Sequence, residues 1–487
     1  MFNKNFILSI KEKTVNGLIW SFIDSFANFG IQFLIGVVLA RILSPREFGL
    51  IGMLTIFIAL SQTFIDSGFS TALIRKKNCT QTDYSTVFFF NLVISLLCYL
   101  LLYGFSGAIS SFFDEPQLKF LVQVMGIGLI LNSFGIIQRA ILTKEINFKL
   151  QTKISLIASL GSGTIAIAMA LKGFGVWSLV ALTLCRYALT SVFLWVYTKW
   201  QPKLIFCIKS FKVLFGFGSK LLLSSLIDTA FQNIYYLVIG KYFSAVELGF
   251  YTRADQFKAM PSQNITTVIQ RVSYPILSSM QDDLPQLKEY YRKLIRSTMF
   301  ITFMLMLGMA AVAKSMIITL IGEKWLPSVV YLQLLCLVGM FYPLHAMNLN
   351  ILNVQGRSDL FLRLEIIKKS LAVPTIVIGI FWGIKIMIIG MLVNTLIAYF
   401  LNSYWSGKMI GYSFTQQVKD ILPSFVLAIF VNGIVFSINF LDITAPNLLV
   451  LQITIGTLST FVICELIKFN DYIFIKNIVN QKLFRKK

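Results

Sequence analysis

Residues 25–49 read SFANFGIQFLIGVVLARILSPREFG and residues 225–249 read SLIDTAFQNIYYLVIGKYFSAVELG, so a similar stretch recurs 200 positions along the chain. Five residues of each stretch match without a gap, namely Ser25, Gln32, Ser44, Glu47 and Gly49 with Ser225, Gln232, Ser244, Glu247 and Gly249. Both stretches are long, apolar and carry polar residues at helical spacing. Two similar halves in a membrane protein are typical of carriers, because halves that rock can open a site to either side.

The composition also indicates a membrane protein. The chain is 56% hydrophobic and 13% charged, whereas a soluble domain carries about 25% charged residues. Fourteen segments approach the roughly 20 apolar residues that a membrane helix needs. They lie near residues 16–40, 48–73, 84–108, 119–142, 154–172, 174–198, 218–241, 248–274, 297–320, 328–354, 366–384, 386–407, 421–440 and 446–468. We therefore predict an all-α polytopic membrane protein with about 14 transmembrane helices.

The repeat divides the predicted helices into two parallel lobes. We expect a six-helix lobe at 1–198, an amphipathic cytoplasmic linker at 199–217, a second six-helix lobe at 218–407, and two appended helices with a basic cytoplasmic tail at 408–487. Tight helical hairpins are expected at Lys172–Gly173 and at Gly383–Lys385, where two apolar segments nearly touch in sequence. Both halves then face the same way across the membrane.

Lys and Arg predict the orientation. With the N-terminus inside, most of the 43 Lys and Arg residues fall in inside segments, as the positive-inside rule requires. Both termini are then cytoplasmic. The net charge of +22 is explained by inside loops that face anionic membrane lipids, and no nucleic-acid partner is needed.

Signatures of enzymes and metal sites are absent from the sequence. The chain has no GxxxxGK[ST], GxSxG or HExxH motif, and its single His and six scattered Cys residues show no metal-ligand spacing. The predicted outer loops are short, whereas membrane enzymes of glycan assembly usually place their chemistry in larger parts outside the membrane. We therefore expect neither an enzyme nor a bound metal or cofactor.

Polar residues within the predicted helices are better indications of a site, since a charge at mid-membrane costs roughly 2.5–3.5 kcal/mol. The first helix carries a polar stripe at three- and four-residue spacing, formed by Ser21, Asp24, Ser25, Asn28 and Gln32. The seventh helix carries Ser225, Asp228 and Gln232 at the equivalent positions. The stripes either line a shared cavity or hold helices together by hydrogen bonds.

The eighth helix is the most strongly charged. Five of its polar residues fall within about 60° of one line, namely Arg253, Gln256, Asn264, Thr267 and Arg271. Lys258 lies on the same helix, and its counterpart in the first half, Ile58, is apolar. Because guanidinium groups bind phosphate in bidentate fashion, this asymmetry favours an anionic cargo. The alternative is a structural ion pair of Arg253 with Asp255 or Asp228.

Four further residues are weaker candidates for an inner mouth or a gate, namely Asp66, Arg75, Arg139 and His345. Asp66 precedes Gly68 and is equally consistent with a helix cap or a hinge. Arg139 ends the fourth predicted helix, where a surface role is equally plausible. His345 follows Pro343 in a helix that we expect to be broken, and a lone histidine is more often a satisfied polar residue within a bundle than a catalyst.

Several stretches resemble a known family. They are LARILSPREFGLIGM (39–53), DSGFSTALIRKK (66–77), KEINFK (144–149), RVSYPILSSMQDD (271–283) and IGEKWLPSVVYLQLLCLVG (321–339). They resemble the polysaccharide-exporter branch of the multidrug/oligosaccharidyl-lipid/polysaccharide (MOP) superfamily, and within it the Wzx-type and colanic-acid-exporter-like flippases. The resemblance covers nearly the whole chain.

This resemblance implies two lobes around a central cavity, as in MATE-like transporters, with Arg253, Lys258 and Arg271 as counterparts of the cavity cations. It implies a flippase that moves a polyprenyl-diphosphate-linked oligosaccharide from the inner to the outer leaflet of the bacterial inner membrane, with other polysaccharide-assembly proteins as expected partners. Because bundle carriers of this length can work alone, we expect a monomer. No signature decides between a proton and a sodium gradient. The alternatives are a multidrug cation antiporter, which Asp24 and Asp228 keep open, and a polysaccharide polymerase or ligase, which the short outer loops disfavour.

Overall fold

The computed structural model describes Trp20, Asp24 and residues 26–484, and the described part contains eighteen α-helices and no strand. Ser21 and Ser25 of the first polar stripe lie outside the described residues. Contacts divide the chain into two compact units, Met1–Gly249 and Phe250–Lys487. The boundary falls within helix α9, whereas the predicted boundaries follow the sequence repeat. The units defined by contacts and the lobes predicted from the sequence repeat have different boundaries. The lobes therefore stay a prediction.

The described part of the N-terminal unit contains eight α-helices and the start of a ninth. They are α1 (Phe26–Ile42), α2 (Pro45–Asp66), α3 (Phe69–Arg75), α4 (Gln81–Phe113), α5 (Leu118–Lys144), α6 (Phe148–Leu171), α7 (Val176–Tyr197), α8 (Ile208–Tyr242) and α9 (Ala245–Ser279). Within this unit, α5 packs along both α4 and α7. Helix α6 also packs along α7, and α2 packs along α8. The segment predicted as a linker becomes helical at Ile208 and continues into α8 without a break.

The C-terminal unit contains the rest of α9 and nine further helices. They are α10 (Leu284–Ala311), α11 (Ala313–Ile321), α12 (Ser328–Gly339), α13 (Tyr342–Val354), α14 (Ser358–Trp382), α15 (Ile384–Ile410), α16 (Phe414–Ser437), α17 (Ala445–Leu466) and α18 (Asn470–Phe484). Here α10 packs along α16 and α14 along α15. The helices predicted as an appended pair, α16 and α17, are therefore part of the packing of this unit.

The repeated serine and glutamate cap a helix start in both repeats, through different contacts. Ser44 precedes α2, and its backbone N–H and its Oγ both donate to Glu47 Oε2, at 2.5 and 2.9 Å. Ser244 precedes α9, and its Oγ accepts a hydrogen bond from the Glu247 N–H at 3.1 Å. Such caps satisfy N–H groups that have no partner within the helix.

The two repeated glycines hold these helix starts against each other. A Cβ atom on Gly49 would lie 1.6 Å from the Ala245 carbonyl oxygen, and one on Gly249 would lie 1.9 Å from the Pro45 carbonyl oxygen. Each glycine therefore contacts the first residue of the other helix, at a distance that no side chain allows. The two matching glycines of the sequence repeat are thus the positions at which the backbones of α2 and α9 contact each other.

Eleven helical segments of the described chain are long and apolar enough to cross a membrane, so the predicted number of 14 is not confirmed. The other three predicted spans coincide with α1, α9 and α14. The described part of α1 has at most 17 residues, and α9 and α14 carry several charged residues within their lengths. The chain is nevertheless a multi-pass, all-helical membrane protein.

The expected hairpins and the expected break are present. Positive φ angles at Gly173 (80°) and Gly175 (55°) turn the chain between α6 and α7, and Gly383 (95°) does the same between α14 and α15. Glycine adopts such angles without steric cost. The tenth predicted segment is interrupted between Gly339 and Tyr342, just before Pro343.

Candidate functional site

A polar cavity of about 350 Å³ lies inside the N-terminal unit, lined by residues of α1, α5, α6 and α7. Among the described lining residues, two are apolar, Ile154 and Leu194. The others are polar or charged, namely Asp24, Asn28, Gln32, Asn132, Arg139, Gln151, Ser155, Ser159, Arg186, Tyr187 and Thr190. Because a polar surface within a membrane bundle must be hydrated or bound to a ligand, this composition is typical of a transport path.

Asn28 is the centre of a hydrogen-bond network on one wall of the cavity. Its Nδ2 donates to Asp24 Oδ1 at 2.7 Å and to Ser155 Oγ at 2.8 Å. Its Oδ1 accepts from Ser159 Oγ at 3.0 Å, and Ser155 Oγ donates to Asp24 Oδ1 at 2.5 Å. The network ties α1 to α6. It holds the Asp24 carboxylate in place and leaves the second carboxylate oxygen for other contacts.

Two arginines give the cavity its positive charge. Arg139 comes from α5 and Arg186 from the middle of α7, and both side chains line the cavity. Within the described part of the chain, neither guanidinium group forms a hydrogen bond or an ion pair; Arg186 lies 5.9 Å from the centre of the Tyr187 ring. Asp24 is the one carboxylate in the described lining, so the fixed charges sum to a net positive value.

The structure brings together four of the predicted site residues, Asp24, Asn28, Gln32 and Arg139. Asp24, Asn28 and Gln32 line the cavity as one stripe, as the helical spacing predicted. Arg139 lies in the same cavity, although it was predicted at an inner mouth or gate. Arg186 was not predicted as a site residue. Its position inside an apolar segment was the signal that could have found it, because buried membrane charges usually serve a function.

The equivalent stripe of the second repeat has a different setting. Asp228 and Gln232 are exposed on α8 and are not among the residues that line this cavity. Between them, Thr229 Oγ1 lies 3.1 Å from Thr63 Oγ1 of α2. The two polar stripes are equivalent in sequence, but only the α1 stripe contributes to the cavity described above.

The cations of the eighth predicted helix lie on α9, in the C-terminal unit. Arg253 is 8% exposed and Lys258 is 3% exposed. Lys258 Nζ forms an ion pair with Asp255 Oδ1 at 2.7 Å and lies 5.0 Å from the centre of the Tyr342 ring. The charge of Lys258 is therefore offset by a neighbour on its own helix, which makes it a weaker candidate for an anionic cargo than a cation without such a neighbour.

The remaining polar residues of α9 differ in exposure. Gln256 and Arg271 are exposed. Asn264 is half-buried, and its Nδ2 donates to the Met260 carbonyl oxygen at 2.6 Å. This bond spans four residues of the helix around Pro261. The single predicted face thus combines buried, internally bonded and exposed side chains, and its role in binding stays a prediction.

Three other predicted residues have partners of their own. Asp66 accepts a hydrogen bond from Ser70 Oγ at the turn that separates α2 from α3. The Arg75 guanidinium lies 4.4 Å from the centre of the Phe217 ring. His345 Nδ1 lies 3.2 Å from Asn402 Nδ2. Among the described residues, no group of His, Cys, Asp and Glu side chains could hold a metal ion.

A sequence comparison gives the family. The family described as "Polysaccharide biosynthesis protein" matches residues 38–330, which is more than half of the chain. The chain therefore belongs to this polysaccharide biosynthesis family. It is 27% identical over 464 residues to the teichuronic acid biosynthesis protein TuaB of Bacillus subtilis, covering 92% of this chain and 95% of TuaB. It is 26% identical over 436 residues to the lipopolysaccharide biosynthesis protein WzxC of Escherichia coli, covering 87% of each.

Structural comparisons give the fold. The lipid II flippase MurJ in an inward closed conformation superposes with a TM-score of 0.70 at 16% sequence identity, covering 96% of this chain and all of MurJ. An inward-facing multidrug resistance MATE transporter of the MOP superfamily superposes with a TM-score of 0.61 at 15% identity, covering 79% of this chain and 94% of the transporter. The family match confirms the resemblance to polysaccharide biosynthesis proteins, and the superpositions confirm the predicted MATE-like, all-helical fold.

Proposed function

We propose that this protein is a flippase that carries a polyprenyl-diphosphate-linked oligosaccharide from the inner to the outer leaflet of the bacterial inner membrane by alternating access. The observation that carries the proposal is the polar cavity inside the N-terminal unit, with two arginines and a set of amides and hydroxyls. Such groups replace water around a charged, hydroxyl-rich headgroup as it crosses the apolar part of the membrane. Flipping of this kind breaks no covalent bond.

The family and its named members support the same proposal. The match to the polysaccharide biosynthesis family supports a glycan as the cargo. TuaB and WzxC are named for the biosynthesis of teichuronic acid and lipopolysaccharide, whose building blocks must reach the outside of the cell. MurJ, which shares the fold, is named as a lipid II flippase.

A multidrug cation antiporter is the second candidate, and the charge of the cavity argues against it. A site for cationic drugs needs a surplus of acidic groups. The described lining of this cavity has Arg139 and Arg186 against one carboxylate, Asp24. The surplus is therefore positive and favours an anionic cargo.

The test is the location of lipid-linked repeat units in a strain that lacks the gene. We expect these units to accumulate in the inner leaflet, where a glycan-modifying enzyme added to intact spheroplasts cannot reach them, and to become accessible when the wild-type gene is restored. Accumulation in the outer leaflet would instead indicate a later step, such as polymerisation. Normal surface polysaccharide together with increased drug sensitivity would indicate the antiporter.

A further inference from the structure

We propose that a second cavity of the N-terminal unit is a sugar-binding pocket on the outer side of the membrane, where it holds an uncharged part of the glycan after the glycan has crossed. The cavity has a volume of about 530 Å³, within the range of about 300–1,000 Å³ of ligand pockets. It lies at the α6–α7 hairpin, and we call it the hairpin pocket. This inference rests on the proposed function and deepens it, because it adds an exit-side site to the transport path.

The hairpin pocket is formed where three connections between helices meet. Its lining residues come from the start of α2, the start of α5 and the α6–α7 hairpin. These connections follow the first, third and fifth membrane crossings, and crossings place successive connections on alternate sides. The three connections therefore lie on one side of the membrane, and the distribution of Lys and Arg predicts that this is the outer side.

The lining of the hairpin pocket is partly apolar and partly aromatic. Leu50 and Leu121 line it and are buried, whereas three aromatic side chains line it and are exposed, namely Phe120, Phe174 and Trp177. Aromatic residues are frequent at membrane interfaces, but these three border a recess that polar side chains line as well. A sugar ring has apolar C–H faces that pack on aromatic rings, and hydroxyl groups at its edge that need polar partners.

Two charged side chains of the hairpin pocket are held in place by their neighbours. Arg46 Nη2 donates to Glu115 Oε2 at 2.6 Å, and the Glu115 side chain is mostly buried. Glu47 Oε2 accepts two hydrogen bonds from Ser44, and a Cβ atom on Gly175 would lie 2.5 Å from Glu47 Oε1. Polar groups that are fixed before a ligand arrives lose less entropy when they bind it.

The charges of the hairpin pocket balance, and further polar groups remain for a ligand. Arg46 and Glu47 are the charged residues of the described lining, and Arg46 is also paired with Glu115. The pocket therefore has no surplus charge for an anion. Among the described residues, the amide of Gln117 and the indole N–H of Trp177 form no hydrogen bond. An uncharged ligand with hydroxyl groups and apolar ring faces fits these groups, and that description defines a neutral sugar.

The test measures oligosaccharide binding to the purified full-length protein in lipid nanodiscs by isothermal titration calorimetry. The probe is the uncharged fraction of oligosaccharides prepared by partial acid hydrolysis of the surface polysaccharide of the same bacterium, so it carries neither lipid nor diphosphate. We expect Trp177→Ala and Gln117→Ala each to weaken binding about fivefold or more, because one loses an aromatic face and the other loses hydrogen bonds. Trp177→Phe keeps an aromatic face and should lose less than Trp177→Ala.

Trp382→Ala is the matched control. Trp382 is exposed, immediately precedes Gly383 in the α14–α15 hairpin, and does not line the hairpin pocket. This variant removes an exposed indole from the second of the two predicted hairpins and should leave the affinity within about twofold of the wild type. Because Gln117 and Trp177 are both exposed and lie on different connections, the test still decides if one of their variants does not fold.

The inference is overturned if the wild type does not bind the uncharged oligosaccharides, or if the Trp177 and Gln117 variants bind them as the wild type does. Glycerophosphoethanolamine serves as a second probe, since a zwitterionic lipid headgroup also presents groups for Arg46 and Glu47. Binding of this probe alone, lost in the same variants, would make the pocket a lipid site and overturn the assignment to a sugar. The proposed function is judged separately, by the leaflet in which lipid-linked units accumulate, so its failure and that of the hairpin pocket give different results.

Discussion

Asn28 uses a single amide to join two helices and to hold the carboxylate of the cavity. It donates to Asp24 and Ser155 and accepts from Ser159. Hydrogen bonds between membrane helices contribute about 0.6 kcal/mol each on average. The stability of the network is therefore modest, and its larger effect is to fix the direction of the Asp24 side chain. Without Asn28, Asp24 would be freer to approach the guanidinium groups.

Asn28→Ala tests this account of the network. We expect a loss of about 1–2 kcal/mol of stability from three hydrogen bonds, measured as a lower unfolding temperature in detergent, together with weaker anion binding. Asn132→Ala is the matched control for stability, because Asn132 lines the same cavity without a hydrogen bond to another described residue. Equal unfolding temperatures for the two variants would show that the network does not contribute to the stability of the fold.

The sequence could predict the part of the site whose residues lie on a single helix, but not the part that two helices form together. Asp24, Asn28 and Gln32 share a face because 3.6 residues make one turn, so their spacing alone places them together. Arg139 and Arg186 lie on different helices, and their proximity depends on how α5 packs along α7. No pattern within either helix contains that information. Conversely, Lys258 is near Asp255 in sequence, but only the folded side chains reveal the ion pair that offsets its charge.

At the scale of the helices, Gly49 and Gly249 determine how closely α2 and α9 approach. Each lies five positions after its serine cap, and each contacts the first residue of the other helix. The sequence shows that the two positions match but not why both are glycine. The reason is steric, because the backbone carbonyl of the partner helix occupies the place of the missing Cβ atom.

Gly49→Ala and Gly249→Ala should each destabilise the protein. The added carbon would lie within 2 Å of a backbone oxygen, so the two helix starts must separate. Overpacking of this kind costs about 1–3 kcal/mol, or more where the backbone cannot move. We expect a lower unfolding temperature and less folded protein in the membrane fraction.

Gly107→Ala is the matched control for the two glycine variants. Gly107 also lies within a helix, α4, and a Cβ atom there would meet nothing within 4 Å. Because alanine favours the helix over glycine by up to about 1 kcal/mol, Gly107→Ala should be neutral or stabilising. If Gly49→Ala resembled Gly107→Ala, the close crossing of α2 and α9 would not be rigid.

For the molecule as a whole, the connections of the N-terminal unit sort into two sets. Arg46, at the start of α2, forms an ion pair with Glu115, which lies between α4 and α5. The second cavity is lined by residues from the start of α2 and from the hairpin at Gly173. At another place, Lys144 contacts the Lys76 carbonyl oxygen, and Gln81 contacts the Gln201 carbonyl oxygen. The first set joins the predicted outer connections and the second joins the predicted inner ones.

The sequence predicts that the connections fall into two sets, because successive membrane helices place them alternately on the two sides. The distribution of Lys and Arg then predicts which side is cytoplasmic. An apolar helix of 20 or more residues moves the chain across the membrane each time, so successive connections must alternate between the two sides. The excess of Lys and Arg then marks one side as cytoplasmic. The predicted count of 14 is not confirmed among the described residues, because α9 and α14 carry charged residues within their lengths and the described part of α1 is short.

Cysteine labelling across α5 tests the predicted orientation, since Asp114 precedes this helix and Glu145 follows it, and both side chains are exposed. With the N-terminus inside, Asp114→Cys should react with a membrane-impermeant maleimide on intact cells, whereas Glu145→Cys should react only after the membrane is permeabilised. The wild-type chain with its six native cysteines is the background control. Labelling of Glu145→Cys but not of Asp114→Cys on intact cells would reverse the orientation. In that case the basic loops would face outwards, and the charge distribution would need another explanation, since the attraction of Lys and Arg to the anionic inner leaflet could no longer account for it.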